Sequence, residues 1–142
     1  MKIIKSALAL AACAHLCAVA EVKTPAIFSD GMMLQQNAAK IWGTSEPGAK
    51  IEIEILGEKS SARAGENGEW RADVKTPEGS AEPREVKIYE NGKLAKTFSG
   101  VLFGDVWIAG GQSNMDFALR RIDGAEAYVN SAAASGVRYF AQ

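Results

Sequence analysis

The sequence predicts a small antiparallel β-sandwich followed by the first strand, helix and strand of an incomplete α/β domain. Three observations support this fold class. Residues 50–55 alternate polar and apolar side chains, as expected for a strand with one buried face. Asn-Gly pairs at 67–68 and 91–92 adjoin further alternating segments. After Gly100 the apolar residues come in unbroken runs, which are typical of a strand covered on both faces.

Residues 21–100 form the predicted β-sandwich domain, in which short strands are joined by tight turns. The strand at 50–55 is expected to turn back through Leu56-Gly57-Glu58-Lys59 into residues 60–64. Because Asn-Gly accepts the positive φ angles of a type I′ turn, we predict two hairpins. One turns at Asn67-Gly68 before residues 70–74, and the other, at Asn91-Gly92, joins 86–89 to 94–98. Such an arrangement is typical of a sandwich.

Residues 101–142 have the pattern of the start of an α/β domain. The apolar runs at 101–103 and 106–109 predict a buried strand. A helix is expected from Asp123, as its cap, to Ser135, with Gly136 as its stop, and a second strand at 137–140. One strand, one helix and one strand leave an α/β sheet largely unformed. We therefore expect this domain to be truncated or to be completed by another chain.

The first 20 residues resemble a signal peptide and predict a secreted or periplasmic protein. Lys2 and Lys5 precede an apolar stretch that ends in Ala18-Val19-Ala20, a small-x-small cleavage pattern. The stretch is too short for a confident membrane span, and no stable span is expected in the mature chain. Cleavage would remove the chain's two cysteines and its single histidine, His15. A less favoured alternative is a lipoprotein anchored at Cys13, at the end of Leu10-Ala11-Ala12-Cys13.

Composition and charge narrow the function classes. The chain has 142 residues and a net charge of −1, and its Lys and Arg residues are dispersed, so nucleic acid is not an expected partner. Once the leader is removed, no cysteine or histidine remains and the acidic residues are scattered, so neither a metal site nor a cofactor is predicted.

The candidate catalytic residue is Ser113, in the segment Gly110-Gly111-Gln112-Ser113-Asn114-Met115. Ligands of open α/β sheets bind at the carboxyl ends of strands, so a serine following the strand at 106–109 could expose its hydroxyl there. Its backbone N–H could bind an oxyanion. The segment is equally compatible with a capped helix start, because Ser and Asn are good N-caps. It is not a Gly-x-Ser-x-Gly elbow, since Met115 replaces the second glycine.

Several separated motifs resemble the sialate O-acetylesterase family of SGNH hydrolases, in the family's order: Phe28 to Gln36, Ile41-Trp42-Gly43, Glu46-Pro47-Gly48, Gly104-Asp105-Val106-Trp107 and Gly111 to Met115. The resemblance implies a β-rich domain before an SGNH-type α/β domain, and an O-acetylated glycan or sialic acid as substrate. It implies that Ser113 is the nucleophile and that its backbone N–H is one oxyanion donor. The family's other donors and its Asp-x-x-His base have no counterpart in this sequence. We therefore expect the polypeptide alone to be inactive.

Two other functions remain open. The chain could be a non-catalytic β-sandwich module that binds carbohydrate or has a structural role, with Trp42, Trp70 and Tyr89 as a sugar-stacking platform. Aromatic residues at alternating strand positions are more often core residues, however. Acetyl-xylan esterase is the other alternative, because related SGNH enzymes share similar nucleophile segments. Asp105 is a weaker acid candidate and is expected to lie in a turn or at the end of a sheet.

Overall fold

In the computed structural model, which describes residues 21–113, 117–132 and 136–141, seven β-strands form two sheets. A 3₁₀ turn spans Leu119–Arg121, and the helix α1 spans Ala125–Ala132. The strands are β1 (Met33–Gln35), β2 (Ala38–Thr44), β3 (Lys50–Ile55), β4 (Glu58–Arg63), β5 (Glu69–Lys75), β6 (Ser80–Glu90) and β7 (Lys93–Gly104).

One sheet has five strands in the order β1-β7-β6-β3-β4, and the other consists of β2 and β5. All pairings are antiparallel except that of β1 with β7, where Met33 lies opposite Leu102. Apolar side chains from both sheets form a single core between them, including Ile41 of β2, Ile53 of β3 and Val101 of β7. This arrangement agrees with the predicted β-sandwich.

The alternation in β3 has the predicted structural result. Ile51, Ile53 and Ile55 are buried in the core, while Glu52 and Glu54 are partly exposed on the other face. Burial of three isoleucines from six residues contributes about 1.5–3 kcal/mol for each side chain. The polar-apolar pattern therefore fixes which face of this strand points inward.

Two of the tight turns have the conformation that a type I′ hairpin requires. Asn91 and Gly92 have φ angles of 49° and 80° between β6 and β7, as predicted. Leu56 and Gly57 have φ angles of 51° and 85° between β3 and β4. Both turns reverse the chain between paired antiparallel strands.

The predicted hairpin at Asn67-Gly68 is wrong. Strand β4, before this turn, pairs with β3, whereas β5, after it, pairs with β2 in the other sheet. Gly68 has a φ angle of 78°, but Asn67 is not among the positive-φ residues. The Asn67 side chain instead accepts a hydrogen bond from the Glu69 backbone N–H at 3.0 Å. This local bond lies in a connection that crosses from one sheet to the other. The Asn-Gly dipeptide occurs in such connections as well as in hairpins, so it does not identify a hairpin by itself.

The prediction for residues 101–142 is correct only in part. Residues 101–103 are buried in β7, and α1 lies within the predicted helix, although Gly124 rather than Asp123 directly precedes it. Residues 133–135, its predicted last turn, lie outside the described residues. The predicted strands at 106–109 and 137–140 do not form, and Trp107 and Ile108 are 85% and 98% exposed. An extended segment becomes a strand only by backbone hydrogen bonding to a neighbouring strand, and among the described residues neither sheet includes either segment.

Candidate functional site

Ser113 lies in an exposed turn that follows the segment 105–110. Neither sheet contains residues 106–109, and the Ser113 side chain is not part of the core. Ser113 is exposed to solvent, and among the described residues no buried parallel strand lies beneath it. Residues 114–116, which include the predicted motif residues Asn114 and Met115, lie outside the described part of the chain.

The segment that leads to Ser113 is attached to the sandwich directly after β7. The Asp105 carboxylate accepts a hydrogen bond from the Gln36 side-chain amide at 2.9 Å and a longer one from Gln35 at 3.4 Å. The Gln35 side-chain oxygen accepts from the Val106 backbone N–H at 2.9 Å. Gln36 also accepts from the Gly79 backbone N–H at 2.8 Å. We call Gln35, Gln36 and Asp105 the latch.

The latch gives Asp105 a structural role at the end of strand β7. Its carboxylate accepts amide N–H groups and thereby fixes the direction in which the chain leaves the sheet. The sequence reasoning placed Asp105 at a sheet end but did not identify Gln35 and Gln36 as its partners. Their position at the end of a short strand gives no local signal for a contact about 70 residues away in sequence.

A second contact joins the last described segment to the sandwich. The Arg138 guanidinium donates hydrogen bonds to the backbone oxygens of Gly31 and, at 3.1 Å, Gly100. The neighbouring Val137 and Tyr139 remain 80% and 88% exposed. The Arg138 hydrogen bonds thus attach residues 136–141 to the sandwich.

The described residues contain no complete catalytic triad around Ser113. The chain's single histidine, His15, lies outside them, as does Cys13. Within the described ranges no group of three or more His, Cys, Asp or Glu residues could hold a metal ion. No helix in that part of the chain has the length and apolar character needed to cross a membrane.

The predicted aromatic platform does not form as one surface. Trp70 is only 3% exposed and belongs to the core, whereas Trp42 is 42% exposed on β2. Tyr89 lies on β6, in the other sheet, where the Lys59 ammonium is 4.8 Å from its ring centre. Of the three aromatic residues, Trp42 is the one that offers a substantially exposed ring.

A groove of about 870 Å³ lies beside Trp42 and is separate from the Ser113 segment. It is lined by Lys23, Thr24, Pro25, Trp42, Gly43, Thr44, Arg63, Gly65, Glu69, Trp70 and Arg71. On the same outer face of β2 and β5, Lys40 donates a hydrogen bond to Asp73, and this bond and the ammonium charge lower the pKa of the Asp73 carboxyl. That carboxylate therefore already has a cationic partner.

Comparison with known proteins supports the resemblance seen in the motifs. No protein-family model matches the chain. The sialate O-acetylesterase of Rattus norvegicus is 32% identical over 120 residues, which cover 77% of this chain and 22% of the relative. The human sialate O-acetylesterase is 29% identical over 116 residues, covering 75% of this chain and 22% of the relative. The chain thus spans about a fifth of the length of these curated relatives.

A solved structure shows the same relationship in three dimensions. A carbohydrate acetylesterase from Xanthomonas citri superposes with a TM-score of 0.66 and 28% sequence identity. The superposition covers 76% of this chain and 25% of that protein. Over about three quarters of its length, the chain is therefore similar in sequence to sialate O-acetylesterases and in fold to a carbohydrate acetylesterase.

Proposed function

We propose that this chain supplies the serine nucleophile of a secreted carbohydrate O-acetylesterase. The observation that carries the proposal is the exposed Ser113 within a chain homologous to sialate O-acetylesterases. The proposed substrate is an O-acetylated glycan or sialic acid, and residues 1–20 are the proposed export signal. Acetylated xylan is the alternative substrate.

The proposed reaction is acyl transfer through Ser113. Its hydroxyl oxygen attacks the acetyl carbonyl carbon while a general base takes the hydroxyl proton. The backbone N–H of Ser113 binds the oxyanion of the tetrahedral intermediate. The sugar oxygen then leaves with a proton, and water hydrolyses the acetyl-serine to acetate and free enzyme.

A serine hydroxyl is a poor nucleophile at neutral pH without a base. The sequence has a single histidine, His15, which belongs to the proposed leader. We therefore expect the purified 142-residue polypeptide alone to hydrolyse p-nitrophenyl acetate no faster than its Ser113→Ala variant does. Hydrolysis that depends on Ser113 in the isolated polypeptide would show that a base is already present.

The nucleophile is tested best in a protein that contains the remaining catalytic parts. We suggest a chimera in which this chain replaces the matching quarter of the Xanthomonas citri acetylesterase. Ser113→Ala is expected to lower kcat by about 10³-fold or more, because loss of the nucleophile removes the covalent route. Ser131→Ala is the matched control, since Ser131 is an exposed serine of α1 that donates to the Tyr128 backbone oxygen.

Assays on O-acetylated sialic acid and on acetylated xylan would separate the two substrate classes. A folded, active chimera whose rate is unchanged by Ser113→Ala would contradict the nucleophile assignment. Acetate release from xylan but not from sialic acid would instead favour the alternative substrate.

A further inference from the structure

The groove beside Trp42 has the chemistry of a binding site, and none of its lining residues comes from the segment that carries Ser113. Residues 23–25 form one part of the lining, where Lys23 pairs with Thr44 through two backbone hydrogen bonds of 2.9 Å. Strands β2 and β5 form another part. The site is therefore built by the rigid sandwich.

Trp42 presents an ordered aromatic ring to this groove. Its ring meets that of Phe28 edge-on, with centroids 4.7 Å apart and an angle of 81° between the planes. This contact holds the indole while 42% of the residue stays exposed. An exposed tryptophan fixed in this way can stack on the apolar face of a flat ligand with little loss of side-chain entropy.

Arg71 lies directly opposite Trp42 across the β2–β5 pair, and both side chains are on the exposed face. Residues opposite each other in an antiparallel pair have Cβ atoms about 4.5–5.5 Å apart. Among the described residues, the Arg71 side chain makes no hydrogen bond or ion pair, although its charge contributes to the low pKa of Asp73. Its guanidinium is free to bind a carboxylate through two parallel N–H groups.

The remaining charges of the lining favour an anion. Lys23, Arg63 and Arg71 bring three positive charges and Glu69 brings one negative charge, in a chain whose net charge is −1. The Glu69 carboxylate already accepts from the Asn67 amide at 2.7 Å. Arg63 donates one hydrogen bond, to the Gly48 backbone oxygen at 2.7 Å.

Trp70 adds an independent observation. Its indole Nε1 is the one buried side-chain nitrogen or oxygen in the described part of the chain that has no hydrogen-bond partner. Trp70 also belongs to the groove lining. Because Trp70 belongs to the lining and its indole N–H has no partner within the protein, the signal of this N–H is a suitable reporter of a ligand in the groove.

We propose that this groove binds an acidic glycan, with a carboxylate-bearing pyranose stacked on Trp42 and its carboxylate paired with Arg71. Stacking uses the apolar face of the sugar ring, and the guanidinium distinguishes acidic from neutral sugars. The proposal needs only the β-sandwich and does not depend on catalysis at Ser113.

The test is a titration of the full ¹⁵N-labelled chain with 3′-sialyllactose and with lactose, its neutral counterpart. The three tryptophans give three indole N–H signals in a proton–nitrogen correlation spectrum. The signals of Trp42 and Trp70 are expected to shift with 3′-sialyllactose, while that of Trp107, outside the groove, stays in place. Lactose is expected to bind at least about tenfold more weakly, as expected for loss of a charged pairing.

Arg71→Gln is the decisive variant because the side chain is exposed and the change should not affect folding. We expect it to weaken binding of 3′-sialyllactose about tenfold and to remove the preference over lactose. Lys93→Gln, an exposed β7 residue outside the groove, is the matched control and should bind like the parent chain. Trp42→Ala should abolish the shifts of both ligands.

Three results would overturn the proposal. The first is the absence of indole shifts up to about 10 mM 3′-sialyllactose, a concentration that corresponds to very weak binding. The second is equal affinity for both sugars, which would show that no carboxylate is recognised. The third is unchanged binding by Arg71→Gln, which would place the ligand elsewhere.

Discussion

Gly43 shows how a single residue determines the wall of the groove. A Cβ atom built at this position would lie 2.0 Å from the Lys23 backbone oxygen and 2.9 Å from Cζ2 of Trp70. Lys23 pairs with Thr44 across this point, so the close approach of two backbones leaves no room for a side chain. The glycine is required by space, since its φ angle is not among the positive ones.

Gly43→Ala is therefore expected to destabilise the fold by about 1–3 kcal/mol, the usual cost of overpacking. Urea unfolding followed by tryptophan fluorescence would measure the change. Gly110→Ala is the matched control, because a Cβ at Gly110 meets no atom within 4 Å; its effect should stay within about 0.5 kcal/mol. An equally small effect at Gly43 would mean that the Lys23 strand moves away without cost.

At the same scale, the two-residue strand period distinguishes the environments of Trp42 and Trp70, whereas residue type alone does not. Both occupy strands with polar-apolar alternation, but Trp70 falls in the buried half of β5 and Trp42 in the exposed half of β2. The alternation itself contained this information, because Ile41 and Gly43 flank Trp42 on the inward face. Residue type alone favours the core for a large aromatic side chain, whereas the two-residue strand period places Trp42 on the outer face of β2.

Among the elements, the turn at Asn91-Gly92 and strand β3 were predictable because local chemistry determines them. Positive φ angles at two successive residues and a strict two-residue period leave few alternatives. The turn at Asn67-Gly68 was not predictable in the same way. Its partner strands are chosen by the packing of β4 against β3 and of β5 against β2, which involves residues far apart in sequence.

Residues 106–109 have the apolar composition of a buried strand, but they do not form one. An unbroken apolar run favours a buried strand only when neighbouring strands and helices cover it. Within the described residues that cover is missing, and Trp107 and Ile108 are exposed.

The latch connects strand β1 to the segment that follows β7, and amide hydrogen exchange can measure how strongly its hydrogen bonds protect the backbone. Gln35→Ala removes the side-chain oxygen that accepts a 2.9 Å hydrogen bond from the Val106 backbone N–H. We expect amide exchange at Val106 to become about tenfold faster, the equivalent of one lost hydrogen bond. Exchange at Ile53, within the core of β3, should not change.

Gln36→Ala provides the internal comparison for this prediction. It removes the acceptor of the Gly79 N–H at 2.8 Å and the shorter bond to Asp105, so exchange at Gly79 should accelerate while the Gln35–Val106 bond remains. If neither variant changes these exchange rates, the segment after Gly104 is not held by the latch.

At the scale of the whole molecule, the hydrophobic core and the candidate nucleophile occupy different parts of the chain. The core cluster draws its residues from Val22 to Phe103 and contains none of the described residues after Gly104. The latch and the Arg138 hydrogen bonds connect the later segment to the sandwich through polar contacts. Stability and catalytic potential are therefore expected to respond to different substitutions.

This separation predicts that a chain shortened after Val106, which keeps the latch, folds like the full chain. Its loss of the Arg138 contacts should cost no more than about 1–2 kcal/mol. The urea m-value should be nearly unchanged, because it follows the surface exposed on unfolding and, apart from Ala118 and Ala125, the described residues after Val106 are already exposed. Ile53→Ala should destabilise both forms by about 2–5 kcal/mol, since it removes the same fully buried side chain from each. A shortened chain without a cooperative transition would instead show that residues beyond Val106 are part of the folding unit.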